Sequence, residues 1–249
     1  MNHASKQKYL SYFHFDVCSL GKNKHKLDDF FLMTEATPTF IAISETKLKS
    51  NYILNVDIPG FNFIHNPSQT NSGRVGLYIN SNLTCQPRND LNLNNVACES
   101  LFIEIPTWSG KPFITGVIYR HPTYAFQPFQ DEFVKFVTHL QNNNYDYLIG
   151  GDYNINLIKY QENSNVSNYV DCLASCGCIS LINLPADSFT YVNDTHGTCS
   201  WLDHDVVSSK SAHDSIQNIE ILHQFILSWP QASSCNHKNC SNTPKPTSW

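Results

Sequence analysis

The segment LIGGDYNINL, residues 148 to 157, places one acid and two amides directly after an apolar run. Asp152, Asn154 and Asn156 occupy alternate positions, and alternate side chains of an extended segment share one face. A carboxylate and two carboxamides on one face form an oxygen-rich surface that suits a hard divalent cation or a phosphate ester. Asp152 and Asn154 are therefore candidates for binding an attacking water and a phosphate oxygen. An Asx turn, in which such side chains cap backbone amides, is the alternative.

A second candidate acid follows another apolar run. The segment TFIAISETKL, residues 39 to 48, predicts a buried strand that ends in the carboxylate of Glu45. Such a carboxylate suits Mg²⁺, which takes one or two carboxylates and completes its shell with waters and substrate phosphates. The alternative is a solvated acid beside Lys47.

A third candidate acid lies in CSWLDHDVVSS, residues 199 to 209. Asp203 precedes a β-branched pair and is predicted to begin a strand near the edge of a sheet. An aspartate in this position could orient a catalytic imidazole, as the acid of a hydrolytic triad does. A strand-end acid in a turn is the alternative, and the neighbouring His204 and Asp205 leave the assignment open.

Length and composition restrict the possible partners. The chain has 249 residues and carries 16 Lys and Arg against 21 Asp and Glu, a net charge of −5. This balance excludes broad electrostatic binding of nucleic acid, so any such contact must be local. The sequence contains no leader peptide pattern and no apolar run of about 20 residues, so we expect an intracellular protein that is not secreted and has no membrane partner. Nine cysteines at irregular spacing indicate reduced thiols.

The pattern of elements favours a mixed α/β sandwich. Nine short β-rich runs alternate with a few amphipathic segments. The predicted strands are SYFHFDV, TFIAISE, GFNFIH, RVGLYIN, SLFIEI, FITGVIYR, YDYLIGG, SFTYVN and WLDHDVVSS, and the predicted helices are HKLDDFFLMTEA, FQDEFVKFVTHLQN and VSNYVDCLASCG. After Ser228 the chain becomes rich in Pro, Ser and Asn, so we expect one domain over residues 1–228 and a disordered tail over residues 229–249.

Six motifs in order resemble one family. The chain is similar to the endonuclease/exonuclease/phosphatase domain, and more narrowly to the apurinic-endonuclease-like domain of non-LTR (LINE-type) retrotransposons. The motifs are FDVCSL (15–20), ISETKL (43–48), GRVGLYI (73–79), VIYRHP (117–122), GGDYNINL (150–157) and SWLDH (200–204). The resemblance implies a four-layer α/β sandwich of two mostly antiparallel β-sheets flanked by helices. It also implies hydrolysis of a DNA phosphodiester that depends on Mg²⁺ or Mn²⁺.

The resemblance also implies roles for the metal-side residues. Glu45 would be the principal metal ligand. Asp16 occupies the position of a family Asn that assists the metal, and its carboxylate still offers oxygen while adding negative charge.

On the phosphate side, the resemblance implies that Asp152 orients or deprotonates the water and that Asn154 holds the phosphate or that water. Tyr119 matches a tyrosine that approaches the scissile phosphate, and its alternative role is a core aromatic with a satisfied hydroxyl. Asp203 matches the acid that orients the catalytic histidine. Gly150 and Gly151 are expected to let the backbone turn tightly at the end of the sheet, and Asn156 to stabilise the turn that follows.

One departure from the family concerns the last motif. After the run IEILHQFIL, residues 219 to 227, the family has Ser-Asp-His and a final strand, whereas this chain reads Ser228, Trp229 and Pro230. We therefore expect an incomplete site, a missing last strand and a truncated domain without the reverse transcriptase that usually accompanies it. Two other functions stay open, a non-catalytic remnant that binds nucleic acid or protein weakly and a phosphatase of small phosphoesters.

The tail contains one further candidate group of ligands. Cys235, His237 and Cys240 could suggest a zinc site. A structural zinc site needs four ligands and no fourth is evident, so solvated tail residues are the alternative.

Overall fold

The structure is a computed structural model, and it describes residues 10–35, 37–48, 56–66, 74–93, 95, 97–107, 110–180, 190–193 and 198–208. The run IEILHQFIL and the tail with Cys235, His237 and Cys240 lie outside these residues. The predictions that concern them therefore stay predictions.

Twelve strands and three α-helices make up the described part of the chain. In order they are β1 (Tyr12–Asp16), α1 (Leu20–Thr34), β2 (Phe40–Ser44), β3 (Phe61–His65), β4 (Gly76–Asn80), β5 (Gln86–Pro87), β6 (Cys98–Ile105), β7 (Phe113–Arg120), α2 (Phe126–Asn142), β8 (Asp146–Asp152), α3 (Ser164–Ser175), β9 (Cys178–Ser180), β10 (Tyr191–Asn193), β11 (Thr198–Ser200) and β12 (Asp203–Ser208). All nine predicted strands and all three predicted helices are present. The additional strands β5, β9 and β11 have two or three residues each, too few for an alternating pattern to mark them.

The strands form two large sheets and one small one. The first sheet has the order β1-β2-β4-β3, the second has the order β5-β6-β7-β8-β12-β9, and β10 pairs with β11. The pairs β1–β2 and β7–β8 are parallel, and the other pairs are antiparallel. The predicted class, two mostly antiparallel sheets in an α/β sandwich, is confirmed.

Strand β2 explains why the sheets stack in four layers. Its five residues are all buried. Ile41 and Ile43 pack in the cluster that includes Leu27 and Phe30 of α1, whereas Phe40 packs with residues of the second sheet. A strand with two apolar faces must be covered on both sides, so helix α1 lies on one side and the second sheet on the other.

Helices α2 and α3 cover the outer face of the second sheet. Phe129, Phe133 and Leu140 of α2 and Tyr169 of α3 are buried in one cluster with residues of that sheet. On α2 the spacings of four and seven residues place Phe129, Phe133 and Leu140 on one side of the helix. Among the described helices, none combines the length and the apolar character needed to cross a membrane.

The two adjacent glycines of β8 make close packing possible rather than a turn. The expected tight turn at Gly150 and Gly151 is wrong, because β8 continues through both of them to Asp152. A Cβ atom on Gly151 would lie 1.9 Å from the Ile118 carbonyl oxygen, and one on Gly150 would lie 2.6 Å from the Tyr12 ring. Glycine at these positions therefore lets β7 and the first sheet approach β8 closely.

The cysteines of the described residues are free thiols. None of the seven forms a disulfide: Cys18, Cys85, Cys98, Cys172, Cys176, Cys178 and Cys199. This agrees with the reduced state that their irregular spacing indicated.

Candidate active site

The side chains predicted from six separate motif positions converge at one end of the sandwich. Tyr119 of β7 is the register partner of Asp152 in β8, and Asp203 of β12 faces Asp152 from the other side. In the first sheet, Asp16 ends β1 beside the end of β2, which Glu45 follows. We call Asp16, Glu45, Asp152 and Asp203 the carboxylate cluster.

Asp152 is held in place by its neighbour Asn154. The backbone N–H of Asn154 donates to Oδ1 of Asp152 at 2.8 Å, and its side-chain Nδ2 donates to Oδ2 at 2.9 Å. Nδ2 also donates to the Arg120 carbonyl at 2.7 Å, so both amide hydrogens of Asn154 have protein acceptors. The two alternatives for Asp152, an Asx turn and a catalytic acid, are therefore compatible, because the turn orients the carboxylate. Contact between Asn154 and a phosphate stays a prediction.

Arg120 fixes the loop that carries Asn154, and the sequence analysis missed it. Its Nε donates to the Tyr153 carbonyl at 2.6 Å, and its Nη2 donates to the Asn154 carbonyl at 2.8 Å. The guanidinium is buried, so these contacts also satisfy its donors. An arginine directly after Tyr119 in the motif VIYRHP was the available signal.

Glu45 accepts hydrogen bonds from two directions. Tyr119 donates its hydroxyl to Oε1 of Glu45 at 3.0 Å, and Lys47 lies 2.8 Å from Oε2. Tyr119 is thus both a buried aromatic with a satisfied hydroxyl and a member of the site. The contact with Lys47 agrees with the alternative given for Glu45, an acid beside Lys47. Each carboxylate oxygen keeps a second lone pair for a further partner.

Cys18 joins the metal-side acids, and the sequence analysis did not single it out. One ligand atom each from Asp16, Cys18 and Glu45 lies within 4.8 Å of the others. The Cys18 backbone N–H donates to Oδ1 of Asp16 at 3.2 Å, which closes the turn between β1 and α1. Alternation with Asp16 in FDVCSL, the same spacing as Asp152 and Asn154, was the signal for this residue.

The loops of the site contain several left-handed backbone positions. Cys18, Glu45, Lys47 and Asn154 have φ values of 48°, 50°, 52° and 51°. Non-glycine residues adopt this region at a free-energy cost and concentrate at functional sites. The loops therefore hold conformations that the surrounding fold must impose.

Burial and mutual repulsion raise the pKa values of the three aspartates of the cluster. Burial, together with Glu45 and Asp203, raises the pKa of Asp16 to about 7. The pKa of Asp203 rises to about 7, chiefly through burial and also through Asp205. Burial raises the pKa of Asp152 well above its usual value, and the charges of Asp203 and Asp16 add to this effect. Crowded carboxylates resist ionisation unless a positive charge is supplied.

The donor atoms of the cluster suit a cation as that positive charge. Among the described residues, the buried Oδ1 of Asp203 accepts no hydrogen bond, and the oxygens of Asp16 and Glu45 are close enough to share one ion. Partial burial of this surface residue and the nearby carboxylates also raise the pKa of the Cys18 thiol to about 12. The donor set therefore fits a divalent metal, with Glu45 and Asp16 as the residues that would hold it.

Asp203 and its neighbours point in different directions. Nδ1 of His14 lies 3.4 Å from Oδ1 of Asp203, and burial lowers the pKa of His14 to about 3, so this imidazole is neutral. His204 points to the opposite face, where it stacks on Tyr153 at 4.1 Å between ring centroids and contacts the Tyr169 hydroxyl at 2.9 Å. Of Asp203 and His204, only Asp203 faces the cluster.

Asn156 serves the loop rather than the site. Its Oδ1 accepts the backbone N–H of Ile158 at 3.3 Å and that of Trp201 at 3.0 Å. The expected stabilisation of the following turn is confirmed.

Comparison with known proteins identifies the family of the chain. The model of the endonuclease/exonuclease/phosphatase family matches residues 18–218, most of the chain. The chain belongs to this family. A search of curated proteins finds no match. The family match covers five of the six motifs completely, and it begins at Cys18 within the sixth, FDVCSL.

Solved structures of family-like proteins share the fold. The AP endonuclease LMAP from Leishmania major superposes with a TM-score of 0.64 at 13% identity, covering 82% of this chain and 80% of that one. The endonuclease domain of TRAS1, a telomere-specific non-LTR retrotransposon, gives 0.59 at 12% identity and covers 82% and 87%. The 3′ phosphatase NExo from Neisseria, bound to a product DNA hairpin, gives 0.58 at 13% identity and covers 82% and 88%. At these identities the similarity shows the fold alone.

Proposed function

We propose that this chain is a divalent-metal-dependent phosphodiester hydrolase of the retrotransposon-endonuclease type, acting on DNA. The observation that carries the proposal is the carboxylate cluster, in which four acids from two sheets share one partly buried volume and three of them, Asp16, Asp152 and Asp203, have raised pKa values. Carboxylates that a fold forces together in this way are typical of a site that handles a cation and a proton.

The proposed chemistry divides the cluster into two sides. Mg²⁺ or Mn²⁺ held by Glu45 and Asp16 would neutralise charge on the phosphate. Asp152, oriented by Asn154, accepts a proton from the attacking water through a lone pair that Asn154 leaves unused. Tyr119, whose hydroxyl reaches the cluster, faces the same substrate space.

DNA is the proposed substrate on two grounds. The retrotransposon TRAS1 has an endonuclease domain of the same fold, and the Neisseria 3′ phosphatase of this fold is bound to a DNA hairpin. The net charge of −5 means that binding rests on local contacts near the cluster rather than on a broad basic surface. An enzyme acting on chromosomal DNA would work in the nucleus.

We further propose that the domain, residues 1–228, is a LINE-type endonuclease that hydrolyses DNA at a low rate. The support is the sequence Ser228-Trp229-Pro230 at the place where the resemblance puts Ser-Asp-His. When catalytic groups act as a unit, the loss of one of them lowers the rate of hydrolysis by about 10³-fold or more.

The same departure supports a second candidate function, a non-catalytic module that binds DNA weakly. A phosphatase of small phosphoesters is the third, because the fold is shared with the Neisseria 3′ phosphatase.

The test is nicking of supercoiled plasmid by the purified chain with Mg²⁺ or Mn²⁺. EDTA and Asp152→Asn should abolish nicking, while Asp146→Asn, at the opposite end of β8, should leave it intact. Nicking that persists in Asp152→Asn would overturn the assignment. A folded chain that binds DNA without nicking would favour the second candidate, and phosphate release from small esters alone would favour the third.

The proposed impairment has its own test. The double substitution Trp229→Asp and Pro230→His restores the order Ser-Asp-His and should raise the nicking rate. An unchanged rate would mean that the departure at these positions does not limit the reaction.

A further inference from the structure

Cys18 adds a sulfur donor to the part of the cluster where Asp16 and Glu45 would hold the metal. Its thiol belongs to the group of three ligand atoms that lie within 4.8 Å of one another, with Asp16 and Glu45. The residue is exposed, so an ion can reach it from solvent. The turn that places Cys18 is held by its own N–H, which donates to Asp16 at 3.2 Å.

Sulfur and oxygen donors select different cations. Mg²⁺ binds oxygen, keeps most of its waters and has little affinity for sulfur. Thiolates favour Zn²⁺ and related borderline cations, which also accept carboxylate oxygen. A site with one sulfur and two carboxylates therefore suits a thiophilic divalent cation better than it suits Mg²⁺.

We propose that Cys18 is a metal ligand and that, with Asp16 and Glu45, it makes the site selective for a thiophilic divalent cation of the Zn²⁺ class over Mg²⁺. On binding, the thiol proton passes to the buffer and the sulfur forms the bond to the metal. The three ligands carry three negative charges against two positive ones. Lys47, 2.8 Å from Glu45, supplies the remaining positive charge. The inference rests on the proposed function, because it concerns the same site, and it makes a thiophilic cation rather than Mg²⁺ the ion that this site prefers.

The experiment uses Co²⁺ as a spectroscopic probe for Zn²⁺. A thiolate bound to Co²⁺ gives a sulfur-to-metal charge-transfer band in the near ultraviolet, which oxygen ligands do not give. The full chain should show this band when Co²⁺ is added. Zn²⁺ should displace the bound Co²⁺, and so remove the band, at a far lower concentration than Mg²⁺ does. Cys18→Ser should remove the band and weaken Zn²⁺ binding by about tenfold or more, with little change for Mg²⁺.

Matched controls separate Cys18 from the other eight cysteines. Cys85→Ser alters a half-buried thiol outside the site, and Cys240→Ser removes a candidate ligand of the tail. Both variants should keep the band. Cys18→Asp should lose the band but retain metal binding, with the preference moved toward Mg²⁺ and Mn²⁺. A band that survives in Cys18→Ser, or a chain without any band, would overturn the proposal.

The outcomes distinguish this inference from the proposed function. Nicking with Mg²⁺ and no Co²⁺ band would leave the hydrolase proposal standing and refute the role of Cys18. A band that depends on Cys18, with no nicking under any cation, would support the metal site and refute the hydrolase.

Discussion

At the scale of single residues, orientation and burial make the candidate acid distinctive. Asp152 is 5% exposed, and Asn154 engages both of its oxygens. An exposed aspartate in an Asx turn would keep an ordinary pKa, whereas this one shares its surroundings with Asp16 and Asp203. An Asx turn alone would orient Asp152 but would not place it among other negative charges.

The raised pKa of Asp16 predicts how stability changes with pH in EDTA. The folded chain holds the proton of Asp16 up to about pH 7, while the unfolded chain releases it near pH 4. This contribution to stability is therefore full below about pH 4 and lost as the pH rises to 7. Asp16→Asn should raise the unfolding midpoint by a few degrees at pH 8 and by less at pH 4, measured by thermal unfolding. A gain that is equal at both values would contradict the pKa shift.

Added Mn²⁺ should show the opposite dependence. At pH 8 the carboxylates of Asp16 and Asp203 are largely ionised, whereas at pH 5.5 protons compete with the cation. The stabilisation by Mn²⁺, measured by thermal unfolding, should therefore be larger at pH 8, where a hundredfold excess over Kd adds about 2.7 kcal/mol to the free energy of unfolding. Glu104→Gln, outside the cluster, is the control and should leave this stabilisation unchanged. A larger stabilisation at pH 5.5 would contradict a carboxylate site.

Tyr119 contributes to stability as well as to the site. Tyr119→Phe removes the hydroxyl that donates to Glu45 at 3.0 Å and should cost about 1–2 kcal/mol in the free energy of unfolding, measured with denaturant. Tyr160→Phe, at a partly exposed position, should cost less than about 0.5 kcal/mol. Equal costs would show that the hydroxyl of Tyr119 is not engaged.

At the scale of elements, strand β8 shows how close packing places the site. Gly151 has a φ of 153°, and a Cβ there would meet the carbonyl oxygen of Ile118 in β7. The parallel pairing of β7 with β8 sets Tyr119 beside Asp152, so any displacement of the two strands also displaces these residues.

Gly151→Ala should therefore destabilise the fold strongly. The contact at 1.9 Å is with backbone, which has no rotamer to change, so we expect a loss of about 3 kcal/mol or more. Gly60→Ala is the matched control, since Gly60 also has a positive φ but has open space around it, and it should cost about 1–2 kcal/mol. Denaturant unfolding of both variants measures the difference, and similar losses would show that β7 can move away.

At the scale of the whole molecule, strand β1 links the two sheets beneath the site. Tyr12 donates its hydroxyl to the Gly116 carbonyl at 2.8 Å and accepts the Gly150 N–H at 3.2 Å. His14, two residues later, contacts Asp203 from the same strand. These polar contacts between apolar layers set how the first sheet sits on the second, and with it the separation of Asp16 from Asp152.

Tyr12→Phe should loosen this link without emptying the core. The ring stays, but the two backbone partners lose the hydroxyl. We therefore expect a loss of about 1–2 kcal/mol in the free energy of unfolding, together with weaker Mn²⁺ binding. Tyr124→Phe, at an exposed position, should change neither quantity. Weaker stability with unchanged Mn²⁺ binding would mean that the sheets keep their spacing without the hydroxyl.

Much of the architecture could be predicted because it depends on local patterns. The runs around β2, β7 and β8 are apolar and β-rich, and Leu27 and Phe30 of α1 recur at helical spacing. Short strands such as β9 escaped prediction because three residues contain too little pattern, and their pairing with β12 depends on distant parts of the chain.

The sequence by itself determined which residue types were available: acids at the ends of apolar runs, an amide two positions after Asp152, and the motif order that points to the family. Only the tertiary structure decided that Cys18 joins Asp16 and Glu45, that Arg120 clamps the loop of Asn154, and that the glycines serve packing instead of a turn. The physical reason is that chain patterns record burial and local conformation, whereas contacts across strands and sheets depend on how the layers close on one another.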